Sequence, residues 1–285
     1  MAQHNIGHFY GMVQTNPKIV LDDETKQPVS AIAYIATATS SRRFANANEE
    51  NNVSFNQIMI MSGVPEVAAK MAEMKMYDVV IIKGSLNTRN IQKTAMCEEC
   101  HQRFIVNEIK GDSDEDAPEY TTSMVTFVTP IDIDIRDTEL TEDEAMDILI
   151  EHREMSNEIQ VIGNLCNDPV SWEGGKATSY QVGINRKFYL KDDDPATSSD
   201  YPFIRSYGIQ AENDIEALHK GSLVLVDGFV KMRHFSRKST CPFCNSVKTW
   251  TDKVLEIVPY SVEYLGDYKS GKERAEEKQA MLDME

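Results

Sequence analysis

The second half of this chain is a loose copy of the first. "GMVQTNP" (Gly11 to Pro17) lines up with "GNLCNDP" (Gly163 to Pro169), each a glycine followed six residues later by proline. "SSRRF", ending at Phe44, matches "INRKF", ending at Phe188. "VVIIKGSLNTR" (79–89) matches "LVLVDGFVKMR" (223–233) at an offset of 144, and Cys97 and Cys100 match Cys241 and Cys244 at that same offset. "VTFVTPIDIDI" (125–135) resembles "VLEIVPYSVEY" (254–264), with Pro130 against Pro259. A tandem repeat explains this kept register better than chance sharing of turn residues, because the spacing from glycine to the cysteine pair is the same in both copies.

Within each copy, runs rich in Val, Ile, Tyr and Phe alternate with Gly, Asn, Asp and Pro turns, the pattern of short strands. One short helix interrupts them, "PEVAAKMAEMKM" (65–76) in the first copy, with Pro65 suited to the first turn, and "AENDIEALHK" (211–220) in the second. A hairpin carrying the cysteine pair leads to the last strand. Five strands with a helix between the third and fourth is the plan of an OB-fold barrel. The expectation is all-β: a first barrel over 1–137, a linker helix over 138–157, a second barrel over 158–267 and a charged tail over 268–285. Thr141 with Glu144 forms a capping-box signature, and Leu140, Met146, Ile148, Leu149 and Ile150 give the linker helix an apolar side for docking on one barrel.

The net charge of −17, taken as a whole, opposes a nucleic-acid partner. Its distribution does not. Residues 1–110 carry 11 acidic and 11 basic side chains, residues 111–157 carry 15 and 2, and residues 158–285 carry 20 and 16. The negative charge is concentrated in one central stretch, which leaves the rest free to present basic faces. No apolar run is long enough to span a membrane, and "MAQHNIGHFY" does not read as a signal peptide, so a cytoplasmic protein is expected.

Four of the five cysteines fall in two CxxC pairs. In a reducing compartment this favours metal over disulfides. Tetrahedral zinc needs four ligands, and each repeat supplies two thiolates. Facing hairpins would complete one structural Zn2+ per chain from Cys97, Cys100, Cys241 and Cys244. Asn245 suits the left-handed turn that follows a second knuckle cysteine; "CEECH" is less ideal. The alternatives are His101 or His234 completing a site within one repeat, pairing between chains, a redox pair, which lacks the βαβ context, or vestigial cysteines. Cys166 reads as a small core residue.

The second copy resembles the bacterial single-stranded DNA-binding proteins over about residues 158–265. "VIGNLCNDP" is similar to that family's first strand and turn, "SYQVGINRKFY" to its strand ending in an aromatic, and "YPFIRSYGIQAENDIEALHKGSLVLVDGFVKMRHF" to its third strand, helix and fourth strand. The resemblance implies base-stacking roles for Phe188 or Tyr189, Tyr201, Tyr207 and Phe235. Residue chemistry points the same way. Exposed bases stack on aromatic rings and phosphates seek cations, and here the two interleave: Arg186, Lys187, Phe188, Tyr189; then Lys231, Arg233, Phe235, Arg237, Lys238; then Lys248, Trp250, Lys253. A single such residue is more often core or merely solvated; three clusters on one barrel reverse that. The first copy keeps Arg42, Arg43 and Phe44, but Ile91 stands where Phe235 stands in the second. The family assembles four barrels, so a homodimer is implied. Its acidic, apolar-tipped tail recruits other proteins, and "MLDME" lacks the apolar last residue.

Enzyme motifs are missing. "WEGGKATS" fails as a phosphate loop, because Val170 and Ala177 occupy the positions that need Gly and Ser or Thr, and the six histidines are scattered. Two readings follow. The first is a non-catalytic single-stranded DNA-binding protein of replication, recombination or transfer of phage or mobile-element DNA. The second is an OB-fold scaffold of a replication or conjugation complex, which the acidic central stretch favours.

Overall fold

The computed structural model describes residues 4–40, 53–91, 94–105, 123–186, 199–269 and 273, with the backbone alone at 123, 173, 237, 248 and 250. The first repeat runs β1 (Asn5–Val13), β2 (Lys18–Leu21), β3 (Pro28–Ser40), β4 (Val53–Ser62), α1 (Pro65–Glu73), β5 (Val79–Ile91), a small hairpin of β6 (Thr94–Met96) and β7 (Arg103–Ile105), and β8 (Ser123–Asp137). After α2 (Glu142–Glu151) the second repeat runs β9 (Asn157–Leu165), β10 (Val170–Trp172), β11 (Ala177–Asn185), β12 (Ser199–Asp200), β13 (Phe203–Tyr207), α3 (Gly208–Ala217), β14 (Leu223–Thr240) and β15 (Val247–Gly266).

Each repeat closes into a five-stranded barrel by the same ladder. In the first, β1 pairs β3, β3 pairs β4, β4 pairs β8 in parallel, β8 pairs β5 and β5 returns to β1. In the second, β9, β11, β13, β15 and β14 close the same ring, again with one parallel step, β13 to β15. Alternation of buried with partly or fully exposed residues along β9 and most of β4 and β11 fills the interiors, as period-two side chains require. This is the tandem OB architecture.

The repeated glycines have a steric cause. At Gly84 and at Gly228 the register of the last hairpin shifts, against Pro130 and Pro259 respectively. A Cβ on Gly84 would lie 2.6 Å from Val128 Cγ1 and 2.8 Å from the Thr129 carbonyl; one on Gly228 would collide with the Val258 carbonyl. The bulge that bends each long hairpin therefore admits only glycine.

The helices differ slightly from expectation. α1 stops at Glu73, because Met74 turns into the core and the Asp78 carboxylate captures the Lys75 N–H at 2.7 Å. α3 lies three residues earlier than expected: Leu218 leaves the helix to become buried, and the Ser222 hydroxyl accepts the His219 N–H. α2 carries the capping box at Thr141 and Glu144 and packs Ala145 and Leu149 against Tyr10, Met12, Ala36, Ala38 and Val79 of the first repeat.

The barrels are fused through their first strands. β1 pairs β9 antiparallel from Asn5↔Val161 to Phe9↔Asn157. The central pair, Gly7 with Ile159, joins equivalent positions of the two repeats, so the ladder has a pseudo-twofold axis. One continuous core, containing Phe9, Ile82, Ile159 and Val226, runs through both barrels. At equivalent ends of this ladder sit two buried asparagines. Asn5 holds the N–H and C=O of Leu86, at 2.9 and 2.6 Å; Asn157 holds those of Val230, at 3.0 and 2.9 Å. Each replaces two backbone bonds where the strand pairing ends.

Candidate nucleic-acid interface and metal centre

Beyond its barrel, each long hairpin reaches over the other repeat, and the two tips meet. The first tip is the β6–β7 hairpin and the second is the far end of β14 and β15. Both cysteine turns have the same backbone geometry. The His101 N–H donates to the Cys97 carbonyl and the Asn245 N–H to the Cys241 carbonyl, each at 2.9 Å, and both donors are left-handed, at φ 55° and 59°. His101 thus adopts the conformation for which Asn245 is the better residue.

The four sulfurs of Cys97, Cys100, Cys241 and Cys244 lie within 4.8 Å of one another, with Cys97 3.5 Å from Cys244 and Cys100 3.6 Å from Cys241. A tetrahedral site with Zn–S bonds near 2.3 Å needs sulfur separations of about 3.8 Å. The cluster therefore fits a four-thiolate metal ion assembled within one chain. His101 and His234 take no part in it. Phe104 is packed beneath it. As bare thiols, Cys97 and Cys100 are pushed in opposite directions. The Ser246 hydroxyl and the Cys100 N–H draw the Cys97 thiol down to about 6. Cys100 is driven up to about 12: the Gln102 N–H favours its thiolate, but burial and the thiols of Cys241, Cys97 and Cys244 outweigh it. A divalent cation at the centre would favour the thiolate form of both. Cys166 stands apart, its thiol pushed up by burial.

The faces of the second hairpin follow from its register. Lys231↔Glu256, Arg233↔Val254 and Phe235↔Asp252 alternate with Met232↔Leu255 and His234↔Lys253, so the two sets point to opposite sides. Lys231, Arg233 and Phe235 share one side. Arg233 is held there by Glu256, 2.9 Å from its Nε, and its guanidinium lies 5.1 Å from the centre of the Phe235 ring. Through Glu256 opposite Phe203 this side continues onto β13, where the Arg205 guanidinium sits 5.7 Å from the Tyr207 ring centre. The other side of the hairpin lies over β3 and β4 of the first barrel. There Met232, His234, Lys253 and Leu255 help to line a cavity of about 990 Å3 with Ile32, Tyr34, Met59, Met61, Arg89 and Ile91. Lys253 Nζ stands 4.9 Å from the Tyr34 ring centre and 3.4 Å from Gln57 Oε1.

The other expected contacts distribute unevenly. Tyr201 is exposed, next to the inter-barrel contact that its N–H makes with the Thr88 hydroxyl. Lys238 is exposed, opposite Thr249, in register with the His234 side rather than the Arg233 side. Arg186 departs from the expected phosphate contact. It is buried, and its Nε and Nη2 grip both oxygens of Asp200 at 3.0 and 2.6 Å. The same carboxylate accepts the Thr88 N–H and the Asn87 amide of the first repeat. Arg186 is thus the anchor of an inter-barrel joint. Arg42, Arg43, Phe44, Lys187, Phe188 and Tyr189, the acidic run 112–119, nearly all of the tail from 270 and the side chain of Trp250 lie outside the described residues. Sequence reasoning missed Asp200, Asn87 and Thr88, which no local pattern marks. It also missed Asn5 and Asn157, which stand six residues before the matched Gly11 and Gly163 and were legible as part of the repeat.

The comparison with known families falls on the second barrel. Residues 156–252 match the Single-strand binding protein family. The second barrel is similar to that family. No curated protein sequence matches the chain. Among solved structures, the wild-type single-stranded DNA binding protein from Thermus aquaticus is similar over 96% of this chain and 100% of its own, with a TM-score of 0.54 and 13% identity. A deletion mutant of that protein aligns over 94% of this chain and 97% of its own, with a TM-score of 0.53 and 12% identity. At such identities the likeness is one of fold, and it extends over both barrels. Among the described residues no helix is long and apolar enough to cross a membrane.

Proposed function

We propose that this chain binds single-stranded DNA, without strong sequence preference, on the outward side of its second barrel. The observation that carries the reading is the register that sets Lys231, Arg233 and Phe235 on one side of β14, continuous with Phe203 and Tyr207 on β13, between which Arg205 is buried. Bases stack on the rings and phosphates meet the cations. Tyr201 adds to it; Lys238, on the reverse side of the ribbon, would meet phosphates around its edge, and Lys187, Phe188, Tyr189 and Trp250 are further contacts proposed from their residue chemistry alone. Arg42, Arg43 and Phe44 are the first repeat's contribution. One structural Zn2+ per chain, held by Cys97, Cys100, Cys241 and Cys244, ties the two hairpin tips together; all four positions are protein thiolates, so the ion has no open position for catalysis. Two chains form a homodimer with four barrels, acting with replication or recombination proteins on cytoplasmic, phage or mobile-element DNA.

Titration with oligo-dT at two salt concentrations tests this. Binding should weaken steeply with salt and should be lost in Phe235→Ala combined with Lys231→Ala. Failure to bind at low salt would sink the reading. A second reading, a protein-binding scaffold, is favoured by the acidic central stretch and by the apolar, methionine-lined side of the first barrel. It predicts that same failure.

A further inference from the structure

The outward side of the second barrel does not end at β13. Across it the strands run in the order β14, β15, β13, β11, β10, about 20 Å at the usual interstrand spacing. At the far edge is β10, all of whose residues are exposed. Trp172 on this strand is 50% exposed. An exposed indole normally leaves its N–H to water and its ring free to turn. Here Nε1 donates to the Ser179 hydroxyl at 2.7 Å, across the β10–β11 ladder, so the half-exposed ring is held in place.

The register fixes what lies beside it. Trp172 pairs Ala177, which pairs Tyr207; Val170 pairs Ser179, which pairs Arg205. Trp172, Ser179, Arg205 and Tyr207 therefore share the side that carries Phe203, Arg233 and Phe235. Tyr207 is two strands from Trp172, about 10 Å away. Ile209, 77% exposed, begins the helix that follows Tyr207. Lys176, an exposed cation, accepts the Gly208 N–H on its carbonyl and so stands between Trp172 and that helix. Isolated surface aromatics need no explanation. A tryptophan that is oriented by its own hydrogen bond, and aligned with a stacking surface, does.

We infer that Trp172 is a base-stacking platform at the far end of the single-stranded DNA path, with Lys176 meeting the adjoining phosphate. This rests on the binding surface proposed above and lengthens it from the hairpin to the barrel's edge strand. The path then crosses five strands, from Phe235 to Trp172.

The chain has two tryptophans, so in the full-length Trp250→Phe protein the emission reports Trp172 alone. Adding long oligo-dT at low salt should quench it. In the otherwise wild-type chain, affinity is read separately from the anisotropy of a labelled oligonucleotide. Trp172→Ala should bind roughly tenfold more weakly, as loss of one stacked base implies, with an unchanged melting temperature. Trp172→Phe should recover most of the loss, and Ser179→Ala, which keeps the indole but frees it, should fall between. Binding without any change in Trp172 emission, together with Trp172→Ala affinity equal to wild type, would overturn the inference while leaving the proposed surface intact. Absence of wild-type binding at low salt would bring down both.

Discussion

Replacing Asp200 by asparagine should be among the most damaging isosteric changes in the protein. The carboxylate is 1% exposed and accepts four hydrogen bonds: two from Arg186, one from the Thr88 N–H at 2.7 Å and one from the Asn87 amide at 3.2 Å. Oδ1 serves Arg186 Nη2 and Thr88. Oδ2 serves Arg186 Nε and Asn87. An asparagine oxygen in the first position keeps two of these, but its NH2 then faces two donors. Each buried group left unsatisfied costs about 1–3 kcal/mol. Removing one partner of a buried pair costs about 3–5 kcal/mol in total, which agrees. Urea unfolding of Asp200→Asn should show a loss in that range, insensitive to salt because the pair is shielded from solvent. Exchange of the Thr88 amide should accelerate, since its acceptor lies across the barrel interface. The double variant Arg186→Met, Asp200→Leu should be less destabilised than either single change, because it leaves no lone buried charge. A loss below about 1 kcal/mol in Asp200→Asn, the size of an exposed pair, would refute the claim that this joint is buried and shared.

Asp214 gives a pH signature. Burial pushes its carboxyl above the ordinary 3.8, against the opposing hydrogen bonds from Ser206, Tyr264, Gln210 and Tyr180. The folded state therefore binds the proton more tightly than the unfolded chain. The stability this contributes is present below 3.8 and is lost as pH rises through the raised value. Relative to Asp214→Asn, the wild type should lose stability over that window and level off above it; a difference independent of pH between 3 and 7 would contradict this. Asn157→Ala should cost about 2–4 kcal/mol by orphaning the N–H and C=O of Val230, measured by denaturant titration, and Asn5→Ala should cost a similar amount at Leu86. Purified protein should hold one zinc per chain by metal assay. Chelation should raise hydrogen exchange in β6, β7 and the distal parts of β14 and β15 while the barrels stay folded, because the β1–β9 ladder and the common core do not depend on the metal. Cooperative unfolding of the whole chain on chelation would show that the clasp, and not the shared sheet, joins the repeats.

Much of this was legible in the sequence because duplication repeats its constraints. Gly84 and Gly228 and the two cysteine turns recur at the same offset of 144, and Pro130 and Pro259 recur within matched strands at an offset of 129; each recurs for a steric or coordinative reason that one copy alone would not reveal. The Thr141 capping box was legible because its partners are three residues apart. The fusion of β1 to β9 was not, because an edge pairing between barrels uses backbone groups that any sequence possesses. Arg186 was misread for a related cause. An arginine beside aromatics looks the same whether it faces a phosphate or an aspartate fourteen residues on, and only the fold brings Asp200, Asn87 and Thr88 to one point. The helix limits slipped because Met74 and Leu218 leave their helices to enter the core, a tertiary demand that local propensity does not encode.

The two repeats differ where their hairpins face. The first barrel's floor of Ile32, Tyr34, Met59 and Met61 offers dispersion contacts, and Lys253 of the second repeat lies over the ring of Tyr34. That contact gives the first barrel a role in supporting the ribbon. A two-stranded ribbon as long as β14–β15 is marginal when unsupported. Here alternate residues divide the work: Met232, His234, Lys253 and Leu255 rest on the first barrel, while Lys231, Arg233 and Phe235 are displayed on the reverse. The tip is fixed by the cysteine cluster. A surface that must stack bases loses least entropy on binding when its rings are already held in place. On this view the first barrel and the metal clasp both serve the second barrel's face, by keeping its longest element rigid.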